Sequence, residues 1–395
     1  MRQKGEGGRF WMSALEEPRE RLARVAAVYH IWPHYRLPVM RALDALEGLD
    51  IVFFGDTAPY QGIKPAPLSA VRRFRPAPFK MIGSFIWQPE AVRQALSPKY
   101  DAMIFLGDQH QIGMWLGMIA ARSTGKGVLL WSHGWIKRES APRAFLRWLF
   151  HRLAHRVLVY SERGREGGIA QGFPADRIVT VFNSLDVAAA DGIVARIENR
   201  ALASVNPHTF FAAPEHPLLI CVGRLTEKVR LDLLLDAAAQ LGEDGRPVNV
   251  LLVGDGPVRE ELERQAQQQE LNVHFYGECY DEEITGQLIY HSDIMVAPGK
   301  IGLTAMHSLM YGTPAITHSN LDRQMPEVEA IEPGRTGALF TFGDAEDLAR
   351  TIAEWLDTPR TREDVRKMAR AAIHDKWHPQ TQAQIIANAI REVAR

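Results

Sequence analysis

From Arg24 onward the chain alternates between two kinds of apolar pattern. Compact runs rich in β-branched and aromatic residues, at 24–29, 49–55, 100–107, 127–131, 157–160 and 178–182, read as buried strands. Between them, apolar residues recur every three to four positions, as at Val39, Met40, Leu43 and Leu46 and again over 112–121, which predicts helices. Buried strands alternating with helices imply a parallel, doubly wound sheet. After Asp186 the pattern loosens into Ala-, Asn- and Pro-containing sequence. A second series then starts at 218–223 and continues with strands at 248–253, 273–276, 294–297, 315–317 and 337–340 and helices at 230–241, 258–268, 281–292 and 345–356. The expected fold class is therefore α/β, with two Rossmann-like domains facing across a cleft. Its divisions are a glycine-rich, charged leader at 1–22, a first domain at 23–190, a connection at 191–216 and a second domain at 217–376.

Composition narrows the picture. A length of 395 residues suits two domains, and a formal net charge of −1 gives no reason to expect nucleic acid, although basic clusters gather in the first half. Two cysteines, Cys221 and Cys279, stand far apart without metal-ligand spacing, so neither a disulfide framework nor a metal site is expected. No apolar run approaches the roughly twenty residues that span a bilayer. The setting expected is cytoplasmic, soluble or peripheral.

Candidate chemistry collects where strands end, since ligands of such sheets sit at the carboxyl edge. In the first half three loops there carry polar groups: His30 to Arg36 with His34 between them, Asp108-Gln-His110, and Ser132-His-Gly134. Asp108 or His133 is a candidate general base or holder of a reacting hydroxyl. In the second half, Gly299-Lys-Ile-Gly302 leads from a strand into a helix-patterned segment starting near Leu303 and Thr304. A glycine loop entering a helix N-terminus offers free amides and a positive dipole end, which suits a diphosphate. Gly223-Arg-Leu-Thr226 and Gly254-Asp-Gly-Pro257 lie on the same edge, and Arg224, Lys228 and Arg230 add positive charge. Two basic and aromatic regions remain, 72–87 and 143–156. The latter puts Phe145, Leu149 and Leu153 on one helix face beside Arg and His; it reads either as a helix lying on an anionic membrane surface or as a core-facing helix with a solvated basic side.

From about Arg24 to its end the chain resembles the nucleotide-sugar glycosyltransferases of the GT-B fold, and among them the large retaining family 4. The residues carrying the resemblance are Val222-Gly-Arg-Leu-Thr226 with Asp232-Leu-Leu-Leu235, Val253-Gly-Asp-Gly-Pro257, Phe275-Tyr-Gly277, Ser292-Asp293, Gly302-Leu303 and Tyr311-Gly-Thr-Pro314. Asn183-Ser-Leu-Asp186 is similar to the turn that ends the first domain in this family, and Trp377-His-Pro379 to the start of a last helix, 377–395, that returns to the first domain.

The resemblance implies that the second domain holds a UDP- or GDP-sugar. Diphosphate would lie at Gly299, Lys300, Gly302, Leu303 and Thr304, the base near Gly277 and Glu278, and the ribose near Glu329. Gly223, Gly254, Gly256 and Arg230 would shape or charge the same edge. Arg224 and Lys228 would stabilise the departing diphosphate, with no obligatory metal or other cofactor. The first domain would present the acceptor through His30, His34, Arg36 and His110. The sequence departs from the family where two glutamates eight positions apart are usual: Gly299 and His307 stand there, and Glu327 and Glu329 are the nearby carboxylates. The lysine expected five positions after the motif arginine falls on Val229.

The leading expectation is transfer of a sugar to a lipid-linked or polysaccharide acceptor at the cytoplasmic membrane face, in cell-envelope or exopolysaccharide assembly. Retention at the anomeric carbon is implied by the family alone. A catalytically silent scaffold subunit is the main alternative, and a nucleotide-sugar epimerase a further one.

Overall fold

The computed structural model describes residues 22–137 and 140–394; apart from Leu22, the leader expected at 1–22 lies outside them. Strands β1 (Ala23–Ile31), β2 (Leu49–Asp56), β3 (Phe74–Pro76), β4 (Lys80–Ile82), β5 (Phe85–Trp87), β6 (Ala102–Leu106), β7 (Gly127–Ser132), β8 (Arg156–Val159) and β9 (Ile178–Thr180) belong to the first half. Seven of them form a sheet in the order β3-β2-β1-β6-β7-β8-β9, and β4 and β5 pair separately as an antiparallel hairpin. The second half contributes β10 (Leu218–Val222), β11 (Asn249–Val253), β12 (Val273–Gly277), β13 (Ile294–Ala297), β14 (Ala315–His318) and β15 (Gly337–Phe340), in the order β12-β11-β10-β13-β14-β15. Every pairing in both sheets is parallel.

The central strands show why the pattern specifies this fold. All six residues of β7 are buried, as are Val25 to Val28 in β1, because helices cover both faces of the sheet. In each sheet the strand order reverses beside the first strand, β1 lying between β2 and β6 and β10 between β11 and β13. A crevice therefore opens at the carboxyl end of both.

The last helix, Pro379–Val393, returns to the first domain as the resemblance implied, with Ile386 and Ile390 in that domain's core and the helix packed against the helix Leu37–Ala45 and strands β7 and β8. Gln382, fully buried on it, accepts the Ser184 hydroxyl at 2.7 Å and donates to the Phe182 carbonyl at 2.6 Å.

Part of the expected connection, 191–216, is helix. Val187–Glu198 is capped by Asp186, whose carboxylate accepts the Ala189 amide at 3.1 Å, and it packs Val187, Ala190, Ile193 and Val194 into the second domain's core. Those positions follow helical spacing, but small alanines make the stripe hard to see in the sequence. A second helix that the reading did not place, Arg362–Lys376, starts at Thr361, whose hydroxyl accepts the Asp364 amide at 3.1 Å.

Candidate active site

The loops following β1, β6 and β7 converge on a cavity of about 780 Å³ between the domains. His30, Arg36, Asp108, His110 and His133 line it from the first domain, and Lys300 and Met325 from the second. Arg36 is held firmly: buried, it stacks on the rings of Trp131 and Tyr160 at 5.0 and 4.6 Å, donates to the Tyr160 hydroxyl, and donates to Asn183 Oδ1 at 3.3 Å. Asn183 Nδ2 in turn donates to Glu327 Oε1 at 2.6 Å. The chain of contacts thus runs from the first sheet to the loop beside Gly302, with the other Glu327 oxygen buried and without a partner among the described residues.

His133 opens onto this cavity with protein on its other sides. Burial, reinforced by the charges of Arg36, Lys300 and Arg147, pushes its pKa down to about 4. At neutral pH the ring is therefore an uncharged acceptor or base. His151, behind it on the helix Ala141–Arg152, is pushed to about 3 by burial and by Arg147. It lies 2.9 Å from the Arg147 carbonyl through Nδ1 and 3.4 Å from the Ser132 hydroxyl through Nε2. The carbonyl requires a proton on Nδ1, so Nε2 accepts from Ser132. Asp108 Oδ1 accepts the His110 amide at 3.0 Å and stands 3.0 Å from His110 Nδ1. His30 is packed edge-on to Tyr60 and Phe79, and burial lowers its pKa.

The glycine loop of the second domain is a narrower cradle than its sequence implies. The Gly299 amide donates to the Val229 carbonyl at 2.7 Å and the Lys300 amide to the Lys228 carbonyl at 3.0 Å. A Cβ on Gly299 would lie 2.1 Å from the Lys228 carbonyl, so the glycine serves close backbone contact and its amide is not free for phosphate. Gln324 takes the next amide, at Ile301, at 2.8 Å. The open donors are the amides of Gly302, Leu303 and Thr304 at the start of the helix Leu303–Met310, which have no partner among the described residues. Gly223, Gly254, Gly256 and Gly277 also interlock: a Cβ on Gly254 would lie 2.0 Å from the Gly223 carbonyl and one on Gly256 2.1 Å from that of Leu225, while the Gly254 amide bonds the Gly277 carbonyl at 2.8 Å. Arg224 and Glu278 are exposed on this edge, with no partner among the described residues.

Four expected site residues are placed otherwise. His34 lies outside the cavity, its Nδ1 3.4 Å from the Lys64 carbonyl. Arg230 adopts left-handed backbone (φ 54°) at the helix start and grips Asp232 with two nitrogens at 3.0 and 2.8 Å, so its charge is already compensated. Glu329 accepts the Glu162 and Arg163 amides at 3.0 and 2.7 Å, capping the first-domain helix Glu162–Ala170, so each of its oxygens already accepts a backbone amide. His307 pairs with Glu282 at 2.9 Å, a partner from a different helix that sequence spacing does not reveal. Lys137, Arg147, His151, Tyr160 and Glu282 were not singled out from the sequence, because only the packing of distant loops brings them to the cleft or to its neighbours.

Two family models match the chain, "Glycosyltransferase Family 4" over residues 37–189 and "Glycosyl transferases group 1" over 208–372. The chain is a family 4-like glycosyltransferase of the GT-B fold. Over 120 residues, 30% of its length, it is 36% identical to a GDP-mannose-dependent α-(1-6)-phosphatidylinositol dimannoside mannosyltransferase of Mycobacterium tuberculosis. Over 205 residues it is 29% identical to a glycogen synthase of Halorhodospira halophila. The matched part spans 30% of the length of the first relative and 43% of the second. Among solved structures, Anabaena HepE in complex with UDP superposes with a TM-score of 0.69 over 94% of this chain and 100% of HepE, at 16% identity.

Proposed function

We propose that this protein transfers a sugar from a nucleoside diphosphate sugar to a lipid-linked or polysaccharide acceptor. The observation that carries the reading is a single cavity lined from both domains: neutral His133 and Asp108 stand on one side, Lys300 on the other, beside the open helix start at Gly302 to Thr304. The leaving diphosphate gains negative charge as the glycosidic bond breaks, and fixed amides, a helix dipole and the exposed Arg224 stabilise that charge more than the ground state. His133 or Asp108 accepts the hydrogen of the attacking acceptor hydroxyl. The reading assigns no metal or other cofactor to the site. The UDP bound to HepE, the GDP-mannose dependence of the mycobacterial mannosyltransferase and a family that acts on nucleotide sugars support the donor class.

The lipid part of the reading rests on the cleft mouth. Phe145, Leu146 and Leu149 on the helix Ala141–Arg152 are exposed, as are Leu116 and Ile119 on the neighbouring helix and Met81, Ile82 and Phe85 on the β4–β5 hairpin. The same helix carries Arg143, Arg147 and Arg152. Such a basic, apolar rim suits a peripheral position on the anionic inner face of the cytoplasmic membrane; no described helix is long and apolar enough to cross one.

The replacement of both motif glutamates by Gly299 and His307 favours one other reading, a donor-binding subunit without turnover. Calorimetry with UDP- and GDP-sugars, combined with assays of hydrolysis and of transfer to prenyl-phosphate-linked sugars, separates the two. Binding with turnover is the expected result; binding without any turnover supports the subunit; absence of binding defeats both.

A further inference from the structure

On the other side of the glycine loop lies a second pocket of about 590 Å³, walled by Lys137 of the first domain and by Lys228, Lys300 and Arg323 of the second. Its remaining charges are settled internally or few. Arg230 is paired with Asp232, and Asp322 with Arg163 at 2.6 Å. His318 is held neutral, its pKa pushed down to about 4 by burial and by Arg323. That leaves Glu227 as the one lining carboxylate without an ion-pair partner among the described residues, against the three lysines and Arg323, whose guanidinium lies 4.8 Å over the Phe342 ring. The lysines crowd one another: burial and then the charges of Lys137 and Lys228 lower the pKa of Lys300.

Like charges from two domains gathered in one concavity oppose its closure unless something negative enters. Lysine offers donors and no acceptor, so this lining matches a carboxylate or phosphate far better than the hydroxyls of a neutral hexose, which need acceptors too. The backbone amides of Gly299 and Lys300 are already bonded, which leaves recognition to the ammonium groups. The pocket shares Lys137 and Lys300 with the cleft cavity but includes none of Gly223, Arg224, Leu303 and Thr304, so it adjoins the helix start assigned to the leaving diphosphate without containing it.

We infer that this pocket is an anion subsite, taking a carboxylate or phosphate group carried by one of the two substrates; the assignment to a substrate rests on the transferase reading above. If the group belongs to the donor, the sugar transferred is acidic. If it belongs to the acceptor, the acceptor is phosphorylated.

The test compares the wild-type protein with a K137Q/R323Q double variant by titration calorimetry, using UDP, GDP, UDP-glucose, UDP-glucuronate, geranyl phosphate and geraniol. The melting temperature serves as the control for intact folding, and an equal loss of UDP or GDP affinity in the variant would mean that these cations hold the leaving diphosphate, which refutes a separate subsite. A donor source gives UDP-glucuronate at least about tenfold tighter binding than UDP-glucose in the wild type and near-equal binding in the variant. An acceptor source gives the same loss for geranyl phosphate, with geraniol unaffected. If the double substitution changes the binding of neither anionic probe, the subsite is refuted. Failure of every nucleotide and nucleotide sugar to bind would overturn the transferase reading instead, and geranyl phosphate would still decide whether the pocket takes an anion.

Discussion

His307 Nε2 stands 2.9 Å from Glu282 Oε1, and the same oxygen accepts the Tyr311 hydroxyl at 2.7 Å. A histidine where the family places a glutamate is thus matched by a carboxylate arriving from the preceding helix, Glu282–His291. Burial works to raise the Glu282 pKa, but the hydrogen bond and charge of His307 and the bond from Tyr311 together bring it below its usual value. A carboxylate whose folded-state pKa is lowered contributes stability above its unfolded pKa and loses it as pH falls through the folded value. E282Q should therefore cost about 1 kcal/mol near neutrality, after discounting for a half-exposed side chain, and should match the wild type once pH falls well below about 4.3. Urea denaturation at several pH values checks this. Restoring the family residue alone, H307E, would set two carboxylates against each other, so it should lower the melting temperature, and E282Q added to it should recover part of the loss. If the pair is strictly additive, the contact is not energetically coupled.

Asn183 is the middle of the buried chain from Arg36 to Glu327. N183A would leave a guanidinium contact and one more carboxylate oxygen without a partner, and burial makes that expensive. A loss of about 2–3 kcal/mol in unfolding free energy is expected. N183D would add a second carboxylate beside Glu327 and should be no better at neutral pH. A loss below about 0.5 kcal/mol for N183A, within the range of ordinary surface substitutions, would mean that the chain of contacts does not tie the domains together.

Acid sensitivity should begin with histidines. His133 and His291 have pKa values near 4 and His151 near 3, in each case chiefly through burial, and all three lie below the ordinary histidine value of 6.5. The unfolded chain then binds more protons than the folded one over the interval from about 6.5 down to about 4, so stability falls as pH falls across it. H151Q, which keeps a hydrogen-bonding side chain but removes the titration, should flatten that slope in a series of melting curves. An unchanged slope would mean that His151 is not buried in its neutral form.

Arg224 is exposed and uncommitted beside the interlocked glycine turns. R224A should leave the melting temperature within about a degree while lowering transfer by roughly a hundredfold, corresponding to ~3 kcal/mol of lost transition-state stabilisation. Equal activity of R224A and wild type would remove this residue from the site.

The two-domain architecture was legible because β1, β6, β7, β10, β11 and β13 are apolar, mostly buried runs of four to nine residues that alternate with helix-patterned segments. Strands β3, β4 and β5 have three residues each, too few for a period to show, and the alanine-rich Val187–Glu198 passes for a linker. At the site, the sequence gathers His30, Arg36, Asp108, His110 and His133 on one edge because strand ends are local features. Partner choice is not local. Whether Gly299 offers its amide outward or to Val229, whether Glu329 faces the cleft or caps a helix 166 residues away, and which carboxylate meets His307 all depend on how separate loops pack.

The same distinction governs the helix Ala141–Arg152. Periodicity alone allows its apolar face to point inward or outward, and the fold gives both answers at once: Phe150 and His151 are buried, whereas Phe145 is 65% exposed, with Leu146 and Leu149 exposed beside it. Combining F145S, L146S and L149S removes apolar surface without opening the core, so circular dichroism and melting temperature should change little. Flotation with phosphatidylcholine vesicles containing phosphatidylglycerol should then fall by at least about tenfold, since each exposed side chain of this size contributes on the order of 1 kcal/mol when it enters the interface. Binding of the wild type should also weaken with added salt and with omission of phosphatidylglycerol, because arginines on the same helix supply the electrostatic share. Transfer to a short, water-soluble acceptor should survive the triple substitution, while transfer to an acceptor embedded in vesicles should drop. Undiminished flotation of the triple variant would place membrane contact elsewhere on the protein.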